Sequence, residues 1–432
     1  MATQISTPSS FHPEAPAAEA WSKHAHSTLG LMLSSTGTYA ASVQASYLQF
    51  FDEHVAARLR PAPVGPKVKY PESPDFVGIH FEVSLNLTAR GEAKVRYNFD
   101  LKRDIAGPDS FGENSAREVL HYLCSATGGD PKLMDRLMDA FFLSESETAA
   151  LRDKVPPLMH IPAATIGFEL GRSQQTMKAY LPIIKKTIMG QSPVVLTNNA
   201  LRDLEPLGYD LSHNATLLIE YLTSRQDKVM PIMFGIDCLD PKVHQGSRVK
   251  VYLKAESNTF AMARDVMTLG GRLSDETTVK KVDLLRSIWH LLYNEPNGIP
   301  DDEIDTWSKP MRTASSAFRG FLFSVDLAAG RKKPDIKTYV PVFQYAENNE
   351  TVLRNTNAAL KMLNHEWGQS GRYYEVNNAV FGQQNAHVMS YAAFSYSESK
   401  GMYLNSYFSM PILNAEKAYD FEVVADAGNI MD

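Results

Sequence analysis

The chain has 432 residues, of which 44% are hydrophobic and 21% charged, and its formal net charge is −6. This is the composition of an ordinary globular protein, and the slight acidic excess argues against a nucleic-acid-binding surface, which requires clustered basic residues. Two cysteines in so long a chain argue against a disulfide framework or a thiolate metal site, so we expect a reduced, cytoplasmic protein. No apolar run reaches the roughly 18 residues of a membrane-spanning helix.

Residues 1–20 are polar and rich in Pro, Ala and Ser, without the apolar segment of a secretory signal. We expect them to form a disordered tail, followed by a single domain over residues 21–432.

Alternation of apolar and polar residues recurs along the chain in five adjacent pairs of segments. Such pairs, joined by short polar or Gly-containing loops, indicate β-hairpins. The pairs are 78–87 with 93–101, 164–171 with 176–183, 231–238 with 247–254, 318–327 with 335–343, and 387–396 with 402–411. Between the pairs, apolar residues recur every three or four positions, which predicts helices, for example over 116–126, 200–224, 282–294 and 351–367.

Ten strands in one open sheet would leave two long unpaired edges, whereas closure into a barrel removes them. The helices then pack on the outside, so the aliphatic face of each strand meets the helices and the polar face lines the barrel. We therefore predict an α+β fold, a single ten-stranded antiparallel β-barrel surrounded by a ring of α-helices.

The inward faces of this barrel carry cations and tyrosines from separate hairpins. The second strands of the first four pairs contribute Arg96, then Lys178 with Tyr180, then Arg248 and Lys250 with Tyr252, then Lys337 with Tyr339, and the last pair adds Tyr391 and Tyr407. Because a dry pocket cannot hold unpaired cations, we expect an anionic ligand. A diphosphate matches Arg forks and Lys amines, and tyrosine faces attract a carbocation left behind when it departs.

Glu82 is the carboxylate on the otherwise basic inward face of the first hairpin, where it can accept a proton from a nucleophile. His80 shares that face and either relays a proton or shapes the pocket wall. Met233 and Leu322 also face inward, where they either line the substrate pocket or serve packing.

Residues 300–307, "PDDEIDTW", spell a DDxxD motif with Asp301, Asp302 and Asp305. A proline followed by acidic residues is typical of the first turn of a helix. Because the motif lies outside every predicted strand, we interpret it as a helix start and not as a magnesium site.

The segments "FEVSLN", "KVRYNF", "MKAYLP" and "GIDCLDPKVHQGSRVKVYLK" resemble those of the fungal aromatic prenyltransferases of the dimethylallyltryptophan synthase family. The similarity covers nearly the whole chain after about residue 20. It implies a barrel of repeated ααββ units and a metal-independent transfer of a dimethylallyl group from its diphosphate to an aromatic ring, usually an indole, in secondary metabolism.

The resemblance also implies a role for individual residues, with no metal or other cofactor. Glu82 would hydrogen-bond the indole N–H. The diphosphate would be held by Arg96, Lys178, Arg248, Lys250, Lys337 and Lys400. The allyl cation would be shielded by Tyr180, Tyr252, Tyr339, Tyr391 and Tyr407.

Gly171 stands where family members acting on free tryptophan tend to have a lysine. Its presence favours a tryptophan-containing cyclic dipeptide or an indole alkaloid as acceptor. The same donor with free tryptophan, tyrosine or another phenolic acceptor remains open, as does a non-catalytic barrel that sequesters an anionic metabolite. We expect neither nucleic-acid nor membrane partners, and either a monomer or a homodimer.

Overall fold

The computed structural model describes residues 15–59, 81–89, 92–101, 109–155, 161–240, 242–244, 247–312, 320–381 and 388–409, with side chains from residue 21 onward. Its ten strands are β1 Glu82–Thr88, β2 Lys94–Asp100, β3 Thr165–Leu170, β4 Gln175–Pro182, β5 Val229–Asp237, β6 Val249–Ala255, β7 Phe321–Leu327, β8 Asp335–Val340, β9 Met389–Ser397 and β10 Gly401–Ser409. Each strand pairs antiparallel with the next, and β10 pairs with β1, so the barrel is closed. The predicted fold class and all five hairpins are confirmed.

Helices fill the segments before and between the hairpins. They are α1 Ala15–Thr36, α2 Ala41–Phe50, α3 Glu113–Ala126, α4 Lys132–Phe141, α5 Glu145–Arg152, α6 Ile184–Ile188, α7 Pro193–Arg202, α8 Ser212–Ser224, α9 Phe260–Met267, α10 Glu276–Leu292, α11 Asn349–Met362, α12 Glu366–Gln369 and α13 Arg372–Phe381. The helix predicted over 200–224 is interrupted after Arg202 and resumes at Ser212. Pro206 and Gly208, with φ 95°, shape the turn that separates the two halves.

The main hydrophobic core lies between the barrel wall and the helices. Val83, Leu85 and Leu87 of β1 are fully buried there. Helix α4 presents a stripe of buried residues spaced by three and four, and its Phe141 packs on Phe234 of β5 with ring centroids 4.9 Å apart. The apolar face of the strands therefore points outward, as the alternation predicted, and the polar face lines the lumen.

The loop between α1 and α2 completes the wall where β2 meets β3. The backbone N–H of Val95 donates to the Tyr39 hydroxyl at 2.8 Å, and that hydroxyl donates to the carbonyl of Leu170 at 3.0 Å. The Tyr47 hydroxyl donates to the carbonyl of Gly171 at 2.7 Å. Side chains of the α1–α2 loop and of α2 thus replace strand-to-strand hydrogen bonds at this end of the seam.

The acidic motif at 300–307 does not begin a helix, so that prediction was wrong. Residues 301–306 form consecutive turns. Two arginines hold their carboxylates: Arg286 donates to Asp301 at 2.9 Å, and Arg264 forms a two-bond fork with Asp305 at 2.9 and 2.8 Å. The motif lies outside the barrel, as predicted.

The N-terminal helix α1 begins at Ala15, within the segment predicted as a tail, and residues 1–14 lie outside the described residues. The division into a tail and a single domain stays a prediction. Among the helices of the described residues, none is both long and apolar enough to cross a membrane.

Candidate active site

Side chains of opposite charge alternate around the lumen. From β2 to β8, cations of the even-numbered strands meet carboxylates of the odd-numbered strands, and each of these residues occupies an inward position. We call this set the charged ring: Arg96 of β2, Glu169 of β3, Lys178 of β4, Asp237 of β5, Arg248 immediately before β6, Lys250 of β6, Asp326 of β7 and Lys337 of β8.

The first half of the charged ring is a continuous run of ion pairs. The guanidinium of Arg96 lies 2.7 Å from the Glu169 carboxylate. The Lys178 amine lies 3.5 Å from Glu169 and also forms an ion pair with Asp237. Arg248 donates to Asp237 at 3.0 Å, which carries the run on to β6.

The second half continues from Arg248 to the outer helices. Its guanidinium lies 3.5 Å from Asp326, which also binds the Lys337 amine at 2.5 Å. Lys337 is 3.8 Å from Asp335, and Asp335 in turn binds Lys281 of α10 at 2.6 Å. Charges in the lumen are therefore tied to a helix outside the barrel.

The expectation that the cations lack protein partners was wrong. The carboxylates of Glu169, Asp237 and Asp326 were missed, although the alternation in "IGFELG", "GIDC" and "FSVDL" puts each on the inward face. Burial alone would raise the pKa of Asp237 and of Asp326, but the surrounding Lys and Arg side chains hold both pKa values well below the usual range. These carboxylates stay ionised and neutralise much of the ring.

Lys250 differs from the other cations of the ring. Its side chain is buried, with 8% exposed, yet among the described residues no carboxylate oxygen lies within the 4.0 Å ion-pair distance of its amine. Burial lowers its pKa well below the usual value, and the charges of Arg248, Lys337 and Lys178 lower it further, against the opposing charge of Asp326.

Next to the charged ring, four inward tyrosines form what we call the tyrosine belt: Tyr180, Tyr252, Tyr339 and Tyr407. On β4, β6 and β8 each stands two residues beyond a cation, and neighbouring ring centroids are 6.0, 5.9 and 5.8 Å apart. Tyr391 packs against the same cluster. Burial raises the pKa of all four phenols of the belt, so they stay neutral and offer ring faces and not charge.

Gly235 of β5 makes room for two rings of the belt. A Cβ at this position would lie 2.9 Å from a ring carbon of Tyr180 and 3.0 Å from one of Tyr252. Both rings are held by their neighbours, so a larger residue would displace them. The segment "GID" of β5 thus provides both the space for the belt, at Gly235, and a carboxylate of the charged ring, at Asp237.

Glu82 lies near the aromatic side of the lumen. On β1, Ser84 pairs in register with Arg96 of β2 on one side and with Tyr407 of β10 on the other. Glu82 lies two residues beyond Ser84, in the direction away from the β1–β2 turn. The side chain is buried, and its Oε1 accepts a hydrogen bond from the Asn98 amide at 3.0 Å. Glu82 is therefore held on the lumen wall beside the belt.

Of the other predicted pocket residues, Met233 and Leu322 pack against the tyrosine belt. His80 lies outside the described residues. Whether these residues contact an acceptor stays a prediction.

Two residues complete the basic end. Lys400 lies in the β9–β10 turn with an exposed side chain and makes no ion pair within the described part of the chain. Its exposure puts it at the rim of the ring, where partial desolvation and the charges of Arg248 and Lys337 lower its pKa. Tyr403 of β10 was given no role from the sequence, but its hydroxyl accepts a hydrogen bond from Arg96 at 3.1 Å and its ring lies 5.4 Å from the Lys337 amine.

Within the described residues, no group of three or more His, Cys, Asp or Glu side chains is arranged to hold a metal ion. The concentration of Lys and Arg in one lumen, beside neutral aromatic rings, instead suits a compact polyanion attached to an apolar or carbocationic group.

A closed ten-stranded barrel with such a lumen is the architecture of a prenyltransferase barrel, and the comparisons with known proteins agree. The family model described as tryptophan dimethylallyltransferase matches residues 17–376. The chain therefore belongs to the tryptophan dimethylallyltransferase family.

Among its relatives is the indole prenyltransferase tdiB of Emericella nidulans, 42% identical over 402 residues that cover 92% of this chain and 96% of tdiB. The indole diterpene prenyltransferase terF of Tolypocladium album is 30% identical, covering 96% of this chain and 98% of terF. The crystal structure of NotF in complex with brevianamide F and DMSPP matches with a TM-score of 0.73 at 20% identity, covering 94% of this chain and 98% of NotF. The structural likeness supports the same barrel fold.

Proposed function

We propose that the protein transfers a dimethylallyl group from dimethylallyl diphosphate to the ring of an indole compound by Friedel–Crafts alkylation, without a metal ion. The observation that carries the proposal is the charged ring next to the tyrosine belt inside one closed lumen. Family membership and the names of two relatives, the indole prenyltransferase tdiB and the indole diterpene prenyltransferase terF, support the indole acceptor.

On the donor side, the bond between the allylic carbon and the diphosphate oxygen breaks, and both electrons leave with the diphosphate. Arg96, Lys178, Arg248, Lys250 and Lys337 would hold the diphosphate, with Lys400 at the rim. Fixed charges lower the barrier because they need no reorganisation as the leaving group gains charge. The belt would then shield the allyl cation from water, each ring face contributing on the order of 1 kcal/mol.

On the acceptor side, a carbon of the indole ring attacks the allyl cation and forms the new C–C bond, and a base then takes the ring proton, which restores aromaticity. Glu82 would accept a hydrogen bond from the indole N–H, which raises the electron density of the ring. Its burial and the hydrogen bond from Asn98 support this role, because they fix the carboxylate before the acceptor arrives.

The acceptor is proposed to be a tryptophan-containing cyclic dipeptide or an indole alkaloid rather than free tryptophan. Gly171 lies in the turn after β3, where a Cβ would approach the carbonyl of Gln174 to 2.6 Å, so the turn itself favours glycine. A cation for a free carboxylate is thereby lacking at this position. We also propose a cytoplasmic location, which the two buried, unbridged cysteines support.

The test is incubation with dimethylallyl diphosphate and, separately, free tryptophan, a tryptophan-containing cyclic dipeptide, an indole alkaloid and tyrosine, all with a chelator. Mass spectrometry reads the addition of one C5 unit, and phosphate analysis reads diphosphate release. We expect C5 addition to the larger indoles. A product that forms only when the chelator is omitted and metal is added would contradict metal independence. Binding of the donor without turnover of any acceptor would favour a barrel that only sequesters an anion.

A further inference from the structure

We propose that Lys250 takes up a proton when the diphosphate of the donor binds, so that donor affinity depends on pH through this one lysine. The inference rests on the proposed function only for the identity of the anion. It assigns to Lys250 a role different from that of the other cations of the charged ring.

The geometry distinguishes Lys250 from its neighbours. Lys178 pairs with Asp237, Arg248 with both Asp237 and Asp326, and Lys337 with Asp326. Asp326 is the register partner of Lys250 across β6 and β7, but its Oδ2 binds Lys337 and its Oδ1 accepts from the Ser324 hydroxyl at 3.0 Å. The carboxylate nearest in register is therefore already engaged by other groups.

The surroundings of Lys250 in the empty site favour the neutral amine. The charged groups that act on it are Lys178 of β4, Asp237 of β5, Arg248 two residues earlier, Asp326 of β7 and Lys337 of β8; the titratable groups next along the lumen are the tyrosines of the belt, Tyr180, Tyr252, Tyr339 and Tyr407. Three of these are cations, and the two carboxylates are paired with those same cations. A buried amine in this setting gains little from ionisation, and its lowered pKa agrees.

A bound diphosphate reverses this balance, because it adds several negative charges within the ring. The charged amine then has an opposite charge close by, and its pKa rises. By linkage, the contribution of Lys250 to affinity is complete at pH values below its pKa in the empty site. It is lost as the pH rises from that value toward the pKa in the complex, at about tenfold in Kd per pH unit.

Lys337 and Arg248 of the charged ring give no such effect. Partner carboxylates raise the pKa of Lys337 and Arg248, which keep their protons in both states. The tyrosines are neutral in both states, because burial raises their pKa values. Two rival groups are a carboxylate such as Asp326, which becomes protonated if the diphosphate takes over its cations, and Lys400 at the rim, whose pKa is also lowered.

The experiment is calorimetry of binding with dimethylallyl S-thiolodiphosphate, an analogue that does not ionise to the allyl cation. At about pH 8.5 its terminal phosphate, with a pKa near 6, is already fully ionised. Titrations in buffers of different ionisation enthalpy give the number of protons taken up. We expect close to one proton for the unmodified protein, none for Lys250→Arg, whose guanidinium is always charged, and close to one for the matched control Lys337→Arg.

A second measurement covers the case in which Lys250→Arg folds poorly. The Kd of the analogue for the unmodified protein, followed upward from about pH 7.5, should weaken by about tenfold per unit, whereas that of Lys250→Met should be weaker but flat. Tight binding with no proton uptake would overturn this inference and leave the proposed function standing. Uptake that persists in Lys250→Arg would assign the proton to Lys400 or to a carboxylate and would overturn this inference. Absence of binding would contradict the proposed function itself.

Discussion

The charged ring and the tyrosine belt lie side by side on the same strands, yet they are built by different rules. In the ring, a cation of one strand meets a carboxylate of the next, so charge decides which side chains are neighbours. In the belt, each ring has a small register partner on one side: Gly235 for Tyr180, Ser324 for Tyr252, Ala393 for Tyr339 and Ser84 for Tyr407. In the belt, side-chain volume decides which residues can be neighbours. The ring should therefore respond to loss of charge, and the belt to a change in size.

The largest effect is expected from Arg248→Met, which removes the cation shared by Asp237 and Asp326. Removing one partner of a buried ion pair costs about 3–5 kcal/mol, and here it also removes a proposed diphosphate ligand. Affinity for a donor analogue should fall by at least about 100-fold. The matched control Arg264→Met breaks the fork with Asp305 outside the barrel and should leave affinity unchanged. Equal losses in both variants would show that the ring has no special role.

Glu82→Gln should lower turnover with an indole acceptor by at least about 100-fold, because the amide is a weaker acceptor for the N–H of the ring. The side-chain shape and the hydrogen bond from Asn98 can be kept, so the affinity for the donor should not change. Steady-state kinetics with each substrate varied separates the two effects. Near-normal turnover would remove Glu82 from the mechanism and leave the charged ring unaffected.

Gly235→Ala tests the volume rule of the belt. The new methyl would lie within 2.9–3.0 Å of the rings of Tyr180 and Tyr252, and overpacking of this kind typically costs 1–3 kcal/mol. We expect about tenfold lower turnover and more hydrolysis of the donor to the C5 alcohol, with donor affinity nearly intact. Gly30→Ala in α1, where the nearest side-chain carbon is at an ordinary 3.4 Å, is the control. Unchanged product partition would mean that ring positions do not control the cation.

The smallest effect is expected from the double substitution Asp301→Asn with Asp302→Asn. Asp301 is almost fully exposed and binds Arg286 on the surface, and surface changes typically stay within about 0.5 kcal/mol. Turnover should remain within about twofold of the unmodified protein, with and without a chelator. A loss above tenfold would show that this acidic motif takes part in donor binding after all.

The barrel was predictable because alternation over ten segments, each with one aliphatic face, specifies both strand pairing and the direction of that face. The positions of Arg96, Lys178 and Lys337 followed from the same rule. The pairing of charges in the ring was not predicted. The prediction considered only the cations, whereas Glu169, Asp237 and Asp326 lie on strands whose other residues are mostly apolar. A rule applied equally to all ten strands would have found them.

Other features were beyond such a rule. The turns at 301–306 depend on Arg264 and Arg286, which are 41 and 15 residues away from the carboxylates they bind. The distinction between Lys250 and Lys337 depends on which amine reaches Asp326, and that is set by side-chain geometry and not by spacing. The fit of Gly235 beneath two rings likewise depends on distances of about 3 Å.

The hydroxyl of Tyr39 bridges Val95 and Leu170, the direct neighbours of Arg96 and Glu169 along their strands. A shortened protein that keeps every strand but begins after α2 would leave a backbone donor and an acceptor without partners at that point, and water could enter between the two strands. The ion pair beside the gap would then be hydrated and weakened. The N-terminal segment thus closes the barrel wall between β2 and β3. Deletion variants should therefore be tested for donor affinity as well as for folding.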